Sequence, residues 1–170
     1  MERPSKEEYN ANNEIYIGLV GEGSITDIVA RQLNDTIKML EVITEEQADY
    51  RYAPGKWSLK EVIGHMTDSE RVMSYRLLRI ARGDKTPLPG FNQDDFMQYS
   101  PFAGWTLADL LEDYKAVRQA TLTLLRGLSA EAWTRVGTSN NTDTSARALA
   151  YIIAGHERHH LNIIREKYLK

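Results

Sequence analysis

The chain has 170 residues, 42% of them hydrophobic and 26% charged, with a formal net charge of −3. That is enough for one soluble domain with its own core, and the acidic balance, with no basic stretch interleaved with aromatics, argues against a nucleic-acid partner. Cysteine is absent, which excludes disulfides, thiolate metal sites and a cysteine nucleophile, so any metal must be held by nitrogen and oxygen. Residues 1–13 are polar and charged and have no apolar signal-peptide core, and no apolar run approaches membrane-spanning length. The expected setting is cytoplasmic, away from a membrane.

Residues 1–21 are mixed in character. Tyr9, Ile15, Tyr16, Ile17 and Leu19 suit an extended arm packed on a single domain over 22–170. A first helix is expected from Ser24, a capping residue, through Ile25, Ile28, Val29, Leu33, Ile37 and Leu40 to about Ile43. Thr44 to Gln47 has the form of a capping box for one short turn, and Ser58 to Glu61 forms another after the break at Pro54-Gly55. The second helix carries Leu59, Val62, Ile63, Met66, Met73, Leu77 and Ile80 and stops near Gly83. From Asp84 to Gly104 a loop holds Phe91, Phe96, Tyr99 and Phe102, enough aromatics to fold over a cleft or simply to pack. A third helix is expected from Thr106 to Gly127, a polar loop from Gly137 to Asp143, and a fourth helix from about Thr144 to Tyr168. No strand alternation is evident. The fold class is all-α, a four-helix bundle with a long crossover loop.

His156 and His160 stand one turn apart on the apolar stripe of the fourth helix, with Leu149, Ile152, Ile153, Ile163 and Ile164. Burying two imidazoles there costs free energy unless their nitrogens find partners, and either core hydrogen bonds or a metal ion would supply them. His65 lies at the edge of the second helix's apolar face. Three imidazoles with an open fourth position would describe a catalytic rather than a structural site, for zinc, nickel, iron, manganese or cobalt alike. The open position would bind water and lower its pKa. His156, Glu157 and His160 also match His-Glu-x-x-His, but too little chain follows for a protease's third ligand, and no sheet exists to align a peptide. Glu157 is either the general base beside the metal or a solvated helix charge. His159 reads as a flanking residue. Asp68 or Glu70 could orient His65. Arg76, in line with His65, could bind an anionic group such as the carboxylate of a thiol cofactor, or pair with Glu70 or Asp113.

The stretch 57–71 (WSLKEVIGHMTDSER) resembles the second-helix signature of the DinB-like superfamily, and 155–166 (GHERHHLNIIRE) resembles its last-helix signature. The segment 79–91 (RIARGDKTPLPGF) is similar to one branch of it. The resemblance implies a divalent metal ion on His65, His156 and His160, and commonly a homodimer. Some members resemble thiol S-transferases using bacillithiol, mycothiol or glutathione; others are called metal-dependent hydrolases. The expected function is therefore that of a metal-dependent enzyme, transferase or hydrolase, acting on a small molecule. The low-molecular-weight thiol would come from outside this cysteine-free chain. The alternative is a non-catalytic bundle that binds a metal or ligand.

Overall fold

The computed structural model describes residues 2–169. Four long helices form the bundle: α2 (Ile25–Leu40), α4 (Leu59–Ala81), α6 (Leu107–Arg126) and α8 (Ala146–Ile163). Short helices α1 (Glu14–Gly18), α3 (Glu45–Asp49), α5 (Gln93–Gln98) and α7 (Ala130–Thr134) lie between or before them. Each long helix starts where a side chain satisfies its free N–H groups. Ser24 accepts from Asp27 N and Ser145 from Ala148 N, while Ser58 with Glu61 and Thr106 with Asp109 form full capping boxes. Thr44 and Gln47 close the box at α3.

α4 packs against α6 and α8, and α2 packs against the same two. Consecutive long helices α2 and α4 therefore sit across the bundle's diagonal, as do α6 and α8. The connections 41–58 and 127–145 cross the bundle, whereas the aromatic-rich stretch 82–106 joins neighbours.

Three local expectations are corrected. The N-terminal segment is not extended: it folds into 3-10 turns at Lys6–Glu8 and Ala11–Asn13 and then α1, burying Tyr9, Ile17 and Val20 in the core. The polar loop is a β-hairpin, with β1 (Val136–Ser139) antiparallel to β2 (Thr142–Ser145). Asn140 and Asn141, at φ 50° and 61°, make its two-residue turn, since asparagine tolerates the left-handed region that such turns demand. Leu88 extends the hairpin through hydrogen bonds with Thr138 O and Asn140 N. Finally, the last helix runs as α only to Ile163 and finishes in a π turn, Ile164–Tyr168.

The apolar core is split in two. One cluster gathers the first turns of α2 with Leu77, Ile80, Leu122, Leu125 and the first half of α8. The other gathers Leu40, Leu59, Val62, Ile63, Met66, Phe102, Leu107, Leu110, Leu111, Leu161 and Ile164. Between them a polar layer crosses the bundle: Gln32 and Thr36 from α2, His65, Ser69 and Glu70 from α4, Tyr114 and Arg118 from α6, His156 and Glu157 from α8. All of these are buried.

Gly155 sets the distance between α8 and α1. A Cβ there would lie 2.0 Å from Tyr16 O, a backbone atom that cannot swing aside. Gly155→Ala is expected to destabilise the fold by about 1–3 kcal/mol through overpacking, read as a lowered Tm; an unchanged Tm would mean α1 is not docked there.

Candidate metal centre

The capping box at Ser58 fixes where α4 begins and so places His65 two turns in, facing α8. Beside it Gly64 leaves room for the Phe102 ring, which a Cβ would strike at 2.2 Å. His156 and His160 share one face of α8 because four residues span about one turn.

The three rings converge. His156 Nε2 lies 3.2 Å from His65 Nε2 and 3.2 Å from His160 Nε2, and one ligating nitrogen of each ring lies within 4.8 Å of the others. An imidazole nitrogen offers one in-plane site, a proton or a lone pair, so His156 Nε2 can satisfy one neighbour but not both. A single cation takes all three lone pairs together. Two nitrogens bound to tetrahedral zinc at ~2.05 Å would stand roughly 3.3 Å apart, close to the separations seen. The donor set and its spacing fit a divalent ion.

Electrostatics keep the rings neutral and ready to donate. Burial pushes the pKa of His65 down to about 4, with the Asp94 carboxylate pulling the other way. Burial, then His65 and His159, lowers His160 to about 3. His156 is driven well below its ordinary value by burial and by the neighbouring imidazoles. The rings are held from behind: Trp57 packs on His65 with centroids 4.9 Å apart, Ser69 Oγ approaches His65 Nδ1 at 3.5 Å, and Tyr16 meets His156 and His159 edge-on. Asp68 instead pairs with Arg71, and Glu70 with Arg118, so neither takes the orienting position expected of it.

His160 opens onto a cleft of about 240 Å³. Its walls include Tyr52, Lys56, Trp57, Gln93, Asp94 and Tyr168. Tyr168, in the terminal π turn, donates to Trp57 O at 2.7 Å and fixes that wall. The aromatics expected to line the cleft are elsewhere: Phe102 is core, Phe91 packs on Phe96, and Tyr99 is exposed.

Two further expectations are corrected by geometry. Glu157 does not join the imidazoles. One helical position from His156, about 100° around the axis, its carboxylate enters the buried ion network. It accepts from Tyr114 Oη at 2.7 Å and from Thr36 Oγ1, and pairs with Arg118 at 2.6 Å. Arg118 also binds Glu70 through Nε and Nη2 at 3.0 and 2.6 Å. Burial works against the Arg118 charge, but Glu157 and Glu70 outweigh it and raise its pKa. Arg76 is likewise absent from the centre. It donates to Pro89 O and lies over the Phe91 ring, and it pairs with neither Glu70 nor Asp113, which belong to Arg118 and Arg71.

The sequence profile of the DinB superfamily matches residues 29–164, from the first long helix through both histidine-bearing helices. This chain belongs to the DinB superfamily. Two solved structures share its architecture. YfiT from Bacillus subtilis, described as a probable metal-dependent hydrolase with an unusual four-helix bundle topology, superposes with a TM-score of 0.72 at 18% identity, covering 97% of this chain and 90% of that one. A DinB-like protein of B. subtilis, YjoA, superposes at 0.61 with 20% identity over 86% of this chain and 91% of its own. At such identities the likeness is one of fold. No curated protein matches the chain.

Two outcomes follow for this DinB-superfamily bundle. Arg118→Met strands two buried carboxylates and is expected to cost about 3–5 kcal/mol in urea unfolding; a cost near zero would show that the network is solvated. For metal-free protein, His65 and His160 bind protons more weakly folded than unfolded, so their contribution is present above about pH 6.5 and lost as the pH falls toward 4 and then 3. Unfolding followed from pH 7 to 4 should show this loss, and His160→Phe should flatten it.

Proposed function

We propose that this chain is a divalent-metal-dependent enzyme acting on a small molecule bound in the cleft beside His160. The observation that carries this reading is the convergence of three neutral imidazole nitrogens, one of which, His160, lines an open cleft. His65, His156 and His160 would hold the ion. A divalent ion so bound acts as a Lewis acid and lowers the proton affinity of water or a thiol.

The residues of this chain divide the remaining work. Trp57, Ser69 and Tyr16 hold the rings in place. Tyr52, Trp57 and Tyr168 give the substrate an aromatic wall and exclude water from it, and Lys56 offers a cation to a carboxylate. Asp94 takes the proton-accepting role first given to Glu157. It lines the cleft with His160, and its charge is felt by His65.

Hydrolysis is the leading reaction class. It fits the description of YfiT, and it needs only water besides the ion. Thiol transfer is the second reading. It is favoured by a cleft with room for more than one small group and with Lys56 to anchor a thiol's carboxylate. Zinc and nickel are among the ions that suit a three-nitrogen set without thiolates.

Purified protein is expected to bind one divalent ion per chain, and His160→Ala to release it with loss of turnover. Screens of simple esters and amides, and of chlorobimane with bacillithiol, mycothiol and glutathione, would separate hydrolysis from transfer. Metal-loaded protein no faster than His160→Ala on every substrate would favour a non-catalytic binder. Asp94→Asn should lower kcat by about 10²-fold or more with the metal content unchanged, whereas Glu157→Gln should act mainly on stability. The reverse pattern would return the base to Glu157.

A further inference from the structure

Arg76 lies eleven residues beyond His65 on α4, roughly 16 Å of helical rise, and heads a second cavity. That cavity has a volume of about 90 Å³ and is lined by the N-terminal turns, the β-hairpin, α4 and α8. Arg76 is only 8% exposed. A guanidinium carries five donors, yet among the described residues Arg76 makes one hydrogen bond, to Pro89 O, and no ion pair. The contrast with Arg118 is direct: that buried arginine meets two carboxylates. A buried charge without a counter-charge is costly, and burial alone depresses the Arg76 pKa, with no carboxylate opposing it.

The polar lining is neutral: Asn10, Asn13, Ser139, Asn140 and Thr144 surround the arginine, and no acidic side chain is among the walls. Asn10 is committed to Thr142 Oγ1 and Asn12 N, and Thr144 to Thr142 O. The side chains of Asn13, Ser139 and Asn140 make no hydrogen bond among the described residues, so their amide and hydroxyl groups are free to serve a ligand in the cavity that Arg76 also lines.

We propose that this cavity is an anion site: it binds one compact oxyanion, a carboxylate or inorganic phosphate, against Arg76, with hydrogen bonds from Asn13, Ser139 and Asn140. The anion supplies the missing counter-charge and ties together three segments distant in the chain. The site is separate from the histidine centre and does not depend on the metal reading.

The test uses the full chain, metal-free and zinc-loaded, titrated with acetate and with phosphate by calorimetry and by thermal unfolding at matched ionic strength in sodium chloride. The expected result is saturable binding of at least one of the two anions, one per chain, with a raised Tm in both metal states; the better binder identifies the anion as carboxylate or phosphate. Arg76→Met should weaken binding by about tenfold or more. Ser139→Ala leaves the Arg76 bond to Pro89 in place and should weaken binding several-fold, which keeps the test open if the arginine variant does not fold. His160→Ala should bind the anion as before. No saturable binding of either anion, or binding unchanged in both Arg76→Met and Ser139→Ala, would reduce Arg76 to a clamp on Pro89. Binding lost in His160→Ala would assign the anion to the metal cleft.

Discussion

The structure depends on the cost of burying polar groups halfway along a helical bundle. A layer of charged and imidazole side chains divides the apolar core, and its members are buried. The layer persists because its charges are paired across α4, α6 and α8, with hydroxyls added from α2 and α6. Arg118 neutralises Glu70 and Glu157, and Tyr114 and Thr36 hydrogen-bond to Glu157. A slip of any helix along its neighbour would break several of these pairings, so the network fixes register as well as charge.

Adjacent residues of α8 serve the two halves of the layer. Glu157 belongs to the ion network, which ties α8 to α6 and α2. His156 belongs to the imidazole cluster, which reaches the cleft through His160. The rigid half thereby locks the helix that carries two of the three candidate ligands, and the cleft is left to segments outside the bundle core: Lys56 and Trp57 before α4, Asp94 on α5, Tyr168 in the terminal π turn. On the proposed reading, substrate selectivity and proton transfer would rest on the connections and metal geometry on the helices, the usual division between loop and scaffold.

Much of this was legible from the letters. Period and capping gave α2, α4, α6 and α8 to within a few residues, because each stripe of Leu, Ile and Met begins at a Ser or Thr with a side chain able to cap. The spacing of His156 and His160 put them on one face, whereas His65 sits at the edge of its stripe, so grouping it with them rested on the bundle fold and was strengthened by the resemblance. Glu157 neighbours a candidate ligand in sequence, but one position along a helix turns its carboxylate about 100° away, into the ion network. The missed signal was an interruption: Arg118 fills the gap between Tyr114 and Leu122 on an apolar face, Gln32 and Thr36 do the same in α2, and Glu70 in α4. Polar residues at matching heights on four stripes point to one buried layer. The hairpin had no such trace. Its inward positions, Gly137, Ser139 and Thr144, are small or polar, and only the Asn140-Asn141 pair marks the turn. The walls of the cleft come from segments distant in the chain, so no local pattern could assemble them.

The account stands on three imidazole nitrogens sharing one ion. X-ray absorption at the metal edge of zinc-loaded or nickel-loaded protein tests this most directly. Three imidazole nitrogens at ~2.0–2.1 Å, together with a light non-protein ligand, is the coordination expected, with the imidazole signal reduced in His65→Ala. An ion coordinated by one imidazole and carboxylates, indifferent to His65, would contradict it.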